Sequence, residues 1–142
     1  MEAFFIDLNI YGMSFMDKKL FFSVEIVFLL ALFIVFEFSG NFFRLYDLFE
    51  AYDIVTHFLG GALVASVSIK FLFQYLKNYS YALNVVFTTG IGAVWEMVEF
   101  FLDLLFGFGL QNGLNDTMVD LMMVMSAAII VNFIERWKAA KK

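Results

Sequence analysis

The sequence predicts an all-α membrane protein: a four-transmembrane-helix bundle with a short interfacial helix between spans one and two. Three observations carry that expectation. Of 142 residues, 63% are hydrophobic and only 16% charged, more apolar surface than a soluble domain of this size can hide. The apolar residues fall into four runs, each about long enough to cross roughly 30 Å of hydrocarbon at about 1.5 Å per residue. The Lys and Arg residues collect on one side of those runs. The length suits a single membrane domain, 1-142.

Composition also excludes function classes. There is no cysteine, so neither a disulfide framework nor a thiolate metal site can form. A net charge of -5 gives no support to a nucleic-acid partner. Met1 to Met16 contains Glu2 and Asp7 but no Lys or Arg, and so lacks the basic start of a signal peptide.

That first stretch, interrupted by Asp7, Asn9 and Gly12, reads as a short interfacial helix or frayed lead. Span one covers about 20-38, and Ser39-Gly40-Asn41 is expected to break it. Phe42 to Glu50 mixes Phe, Leu and Tyr with Arg44, Asp47 and Glu50, as a helix lying in the interface does. Span two covers about 51-76, and a polar turn at Asn78-Tyr79-Ser80 leads into span three, about 81-106. A Gly-rich loop from Gly107 to Gly113 follows, then span four at about 116-134 and a basic tail, 135-142. Gly60, Gly61, Ala65, Gly90, Gly92 and Ala93 suit close packing between spans two and three.

With four spans, Lys18, Lys19, Lys77, Arg136, Lys138, Lys141 and Lys142 share one side, against Arg44 alone on the other. That bias predicts a multi-pass protein of the plasma membrane with both termini cytoplasmic. Membrane lipid and further copies of the chain are the partners such a small bundle admits.

This topology brings ionisable groups to a common depth. Asp53 and His57, spaced i, i+4, open span two; Glu96, Glu99 and Asp103 form one stripe on span three; Asp116 and Asp120 open span four. Gln111, Asn112 and Asn115 lie in the loop just above. Ionisable residues at membrane depth are costly and mark functional sites by default. So many carboxylates cannot all stay charged and unpaired there, and Arg44 is the one cation on that side. A divalent metal ion, shared protons or a wet cavity must compensate. Carboxylates with one imidazole suit Mg²⁺, Mn²⁺ or Ca²⁺, and can also hold Zn²⁺ or Fe²⁺.

Plainer roles exist for some of these residues. Asp53 and Asp116 stand where an N-cap is expected, Asp103 can reach the interface, and His57 can bond a backbone carbonyl. Glu96, Glu99 and Asp120 have no capping role. Glu37 either leans into the cluster or faces water, while Glu25 and Lys70 suit an ion pair.

Asp53-x3-His57-Phe58 with Gly60-Gly61, Gly92-x3-Glu96-x2-Glu99, and Gln111 with Asn115-Asp116-Thr117-x2-Asp120 resemble the motifs of the VanZ-like and YjdF-like small membrane proteins. The resemblance covers spans two to four. It implies a common polar site built from Asp53, His57, Glu96, Glu99, Asp116 and Asp120, and the VanZ-like members are associated with glycopeptide-antibiotic resistance. The function expected is divalent-metal binding at an outward-facing site, with hydrolysis or transfer on a lipid head group or lipid-linked substrate. In that reading Asp53, His57, Glu99, Asp116 and Asp120 ligate the metal and Glu96 is the general acid or base. Asp103, Gln111, Asn112 and Asn115 are further candidates. The competing expectations are a proton- or cation-coupled transporter that uses the carboxylates as a relay, and a structural accessory subunit.

Overall fold

The computed structural model describes residues 23–49, 51–75 and 80–141. The expected N-terminal lead, Lys18, Lys19, Lys77 and most of the turn at Asn78-Tyr79 lie outside them. Four helices long and apolar enough to cross a membrane make up almost all of the described chain. They are α1 (Val24–Phe42), α3 (Ala51–Tyr75), α4 (Tyr81–Phe106) and α5 (Leu114–Ala140), with the short α2 (Leu45–Leu48) between the first two. The protein is therefore an all-α membrane protein with four spans and a short helix between spans one and two.

Several boundaries depart from the sequence reading. Ser39-Gly40-Asn41 does not end the first span, which runs on to Phe42. The Ser39 hydroxyl donates to the Val35 carbonyl (2.7 Å) and the Asn41 amide to the Glu37 carbonyl (2.9 Å), so both polar side chains bond back onto the helix they were expected to break. Gly40 is buried, and a Cβ there would collide with the rings of Tyr46 and Tyr52. The expected interfacial helix thus shrinks to a single turn. It starts after Arg44, which holds a left-handed φ of 54°. The fourth span begins two residues early and absorbs most of the supposed tail, reaching Ala140.

The other helix ends follow their sequence signals. Ser80 caps α4 by accepting the Leu83 N–H (3.2 Å), and Gly107, with φ 67°, closes it in the left-handed conformation that glycine tolerates.

Packing centres on α3. Its most extensive contact is with α5, α4 completes a three-helix core against both, and α1 lies on α3. Ala65, Ala127 and Ala128 are fully buried along the α3–α5 seam, where small side chains let backbones approach. Gly61 meets the Cα of Val124 and Gly92 meets its side chain. The glycines expected to join spans two and three therefore both receive a residue of span four. Gly60 instead faces Phe33 of α1, and Gly90 faces open space. Outward-facing Phe28, Ile34, Val86, Leu104, Met122 and Phe133 form the lipid-exposed surface.

Alternation of the spans brings the start of α1 and the ends of α3 and α5 together at the end remote from Asp53. There Glu25 accepts from Lys70 (2.5 Å) and Lys138 (2.6 Å), and Lys138 also reaches Glu135 (2.9 Å). Just inside this end Ser68 donates to Asn84, Asn84 to Asn132 (2.7 Å), and Asn132 to the Tyr81 carbonyl (2.8 Å). This buried polar chain ties α3, α4 and α5 together.

Candidate functional site

At the opposite end the three core helices bring their ionisable residues together. His57, buried on α3, points Nε2 at Asp53 Oδ1 (3.4 Å), one turn earlier, and at Glu96 Oε1 (3.6 Å) across on α4. Two triads share this imidazole: Asp53, His57 and Asp120, and His57, Glu96 and Glu99. Within each, one ligand atom per residue lies within 4.8 Å of the others. Asp120 is 2% exposed and Glu96 4% exposed. Glu96 Oε1 is buried without a hydrogen-bond partner, although buried carboxylate oxygens are normally satisfied.

Partners fix several of these carboxylates. The Thr56 hydroxyl donates to the Asp53 backbone carbonyl (2.8 Å) and lies 3.5 Å from its carboxylate Oδ1. The Trp95 indole N–H donates to Glu99 Oε1 (2.7 Å), a one-turn contact along α4. The Gln111 amide reaches down from the loop to the Glu96 carbonyl (3.2 Å), the Glu96 carboxyl (3.4 Å) and the Thr117 hydroxyl (3.1 Å), roofing the cluster. Gln111 thus joins the site, as its position suggested.

Other candidates stand apart. Asp103 takes up the N–H groups of Leu110 and Gln111 (2.8 Å each), so its carboxylate folds the Gly-rich loop back over the helix end. Asp116 lies within the first turn of α5, which begins at Leu114 after Gly113, and accepts the Asn112 N–H (3.0 Å). Asp116, Asn112 and Asn115 line the mouth of a cleft of about 980 Å³ rather than the triads.

That cleft descends past Asp53, His57 and Glu99 to Gly61, Gly92 and Thr88. Glu37 of α1 lines it from the other wall, beside the Tyr46 hydroxyl, which resolves its ambiguity in favour of the cluster. Burial raises the Tyr46 pKa well above the ordinary phenol value, so it remains a neutral hydrogen-bonding group. Sequence reasoning missed Trp95 and Thr88. Their signals were i, i+4 spacings, Trp95 to Glu99 and Thr88 through Gly92 to Glu96, hidden among many apolar neighbours.

The fold and the cluster define a class, a four-span helical membrane protein with a buried acid–imidazole centre near one end. The family described as "Predicted membrane protein (DUF2238)" matches residues 2–139, and the chain belongs to that family. No curated protein and no solved structure matches it.

Proposed function

We propose that the protein binds a divalent metal ion at the His57 centre and uses it in hydrolysis or transfer on a lipid head group or lipid-linked substrate. The observation that carries this reading is the pair of triads converging on one imidazole, with Glu96 Oε1 buried and unpartnered beside it. The separations of 3.4 and 3.6 Å around His57 Nε2 suit donors that share an ion. Tetrahedral zinc, with bonds of about 2.0–2.1 Å, sets its donors about 3.3 Å apart. Octahedral magnesium or manganese, with bonds of about 2.1 Å, sets them about 3.0 Å apart. Small rotations of the carboxylates cover either case.

His57, Asp53, Glu99 and Asp120 are the proposed ligands, and Glu96 either joins them or carries the proton as general acid or base. Asp116, proposed as a ligand from sequence, is farther from the imidazole group and already holds a loop N–H, so it belongs to the mouth. The ion would supply Lewis acidity and a nucleophile from water near neutral pH. The narrower likeness to VanZ-like and YjdF-like proteins rests on Asp53, His57, Glu96, Glu99, Asp116 and Asp120. The excess of Lys and Arg at the other end supports termini in the cytoplasm and a site facing outward from a plasma membrane.

A second reading, proton or cation transport, draws on Thr88, whose buried hydroxyl has no hydrogen-bond partner at the floor of the cleft. It is opposed by the contact of Gly61, Gly92 and Val124, which narrows the core around the floor of the cleft.

The test is elemental analysis of detergent-purified protein dialysed without chelator, wild type beside His57→Ala and Glu99→Gln. One Mg, Mn or Zn per chain in the wild type, lost in both variants, is the expected result. Absence of metal from all samples after incubation with each ion would overturn the metal reading.

A further inference from the structure

The cleft that holds the site also has a direction. Its walls come from α1 on one side and from α4 with the start of α5 on the other, and α3 forms its back. Yet among the described residues α1 packs extensively only on α2 and α3. A space lined by two helices that do not seal against each other opens sideways, here between α1 and α4, into the bilayer. Trp95 sits on that lip, 50% exposed while its indole holds Glu99. Glu99 therefore lies at the boundary between the buried triad and lipid.

The lining changes with depth. The end near the membrane surface carries Glu37, Asp53, Glu99 and Asp116, whereas the lower cleft is lined mainly by Phe33, Leu63, Val64 and Ile91, with the Thr88 hydroxyl at its floor. From Asp53 to Val64 the descent is about 16 Å along α3, at about 1.5 Å per residue. A polar head near the surface above an apolar sleeve pointing at the bilayer centre is the orientation of a lipid in the adjacent leaflet. The cleft volume of about 980 Å³ suits a ligand of that kind.

Charge selects the head group. Arg44 at the mouth is paired to Asp47 at 2.7 Å, which leaves Glu37, Asp53, Glu99 and Asp116 facing the cleft against His57 alone. Four acids so close together do not all stay charged. Even with a divalent ion held by Asp53 and Glu99, the cleft still presents Glu37 and Asp116 and no unpaired cation among its lining, which disfavours an anionic head and favours a cationic one. Aromatic faces at Tyr46, Trp95 and Phe108 add cation–π attraction.

We infer that the cleft admits, sideways from the bilayer between α1 and α4, a single-site lipid amphiphile whose positively charged amino head meets the carboxylates beside His57. This names a substrate or ligand class for the proposed centre, and it holds whether or not the metal is bound.

The experiment measures binding of dodecylamine, dodecyl phosphate and butylamine to the purified full-length protein in nonionic detergent, with metal content read on the same samples. Dodecylamine is expected to bind at one per chain, at least tenfold more tightly than either of the others. The double variant Asp53→Asn/Glu99→Gln should lose at least tenfold in dodecylamine affinity. Ile91→Trp, which fills the apolar sleeve and leaves every carboxylate in place, should lose as much while keeping the wild-type unfolding temperature within a few degrees. Equal or tighter binding of dodecyl phosphate would overturn the head-group assignment. Equal binding of butylamine would overturn entry from lipid, because the chain would then contribute nothing. Metal-loaded protein that ignores dodecylamine would sink this inference alone, and protein that takes up no metal after incubation with Mg, Mn and Zn yet binds dodecylamine would sink the metal reading alone.

Discussion

Gly61→Ala adds one methyl group where α3 and α5 touch. The new Cβ would stand 2.8 Å from Val124 Cα, 3.0 Å from its carbonyl oxygen and 3.2 Å from Ala127 Cβ. The first contact is short of ordinary van der Waals distance by about 0.6 Å, and it is against backbone, so no side-chain rotation relieves it. The two helices must separate. A gap of about 0.5–1 Å already forfeits a quarter to a half of each dispersion contact it opens. The seam affected is the most extensive in the molecule, with fully buried Ala65, Ala127 and Ala128. Overpacking of this kind costs about 1–3 kcal/mol, while replacing a helical glycine by alanine returns about 1 kcal/mol. Gly90→Ala is the matched control, because its Cβ meets nothing within 4 Å. It receives the helix term alone. Thermal unfolding in one detergent should therefore rank Gly90→Ala at or above wild type and Gly61→Ala below it. Gly61→Ala equal to or more stable than Gly90→Ala would refute the packing argument.

Trp95→Phe removes the indole N–H that holds Glu99 Oε1 at 2.7 Å. If Glu99 is a ligand, loss of this outer support should weaken metal affinity by about 10–100-fold, measurable by competition with a chelator. Asn84→Ala deletes a fully buried amide that donates to Asn132 at 2.7 Å. Leaving the acceptor in a low-dielectric core should cost about 1–3 kcal/mol, read as a lower unfolding temperature with metal content unchanged. Asp103→Leu frees the N–H groups of Leu110 and Gln111. Amide exchange across 107–113 should speed up in that variant while the helices keep their protection.

The four spans were legible because apolar length is set by bilayer thickness, a constraint strong enough to survive any detail of packing. The site was legible for a related reason. Carboxylates such as Glu96 and Asp120 within a span have few structural uses, and i, i+4 spacing already places Asp53 with His57 on one face. Two things were not legible. Ser39-Gly40-Asn41 looks like a helix stop, but the bonds that retain Ser39 and Asn41 in the helix, and the rings of Tyr46 and Tyr52 that need Gly40, depend on tertiary placement. Likewise the glycines of spans two and three were read as packing those two spans against each other, whereas a residue of span four fills the space at Gly61 and Gly92. Val124 gives no sign of that role among the apolar residues of span four.

The two features are one piece of architecture. His57 lies one turn from Gly61 on α3, Glu96 one turn from Gly92 on α4, and Asp120 one turn from Val124 on α5. Each of these three residues is thus mounted about 6 Å above a member of the same three-helix contact, at about 1.5 Å per residue. Because rigid helices pass a displacement along their axes, the separation of the carboxylates from the imidazole is set by how closely Val124 seats between the two glycines. Alanine at either glycine would spread the ligand atoms as well as the backbones. A site whose donors lie within 4.8 Å of one another, and whose ion would draw them to about 3.3 Å if it were zinc, is sensitive to shifts of that size. The glycine–valine–glycine contact therefore has two roles, narrowing the core around the floor of the cleft and holding the acid–imidazole centre to gauge.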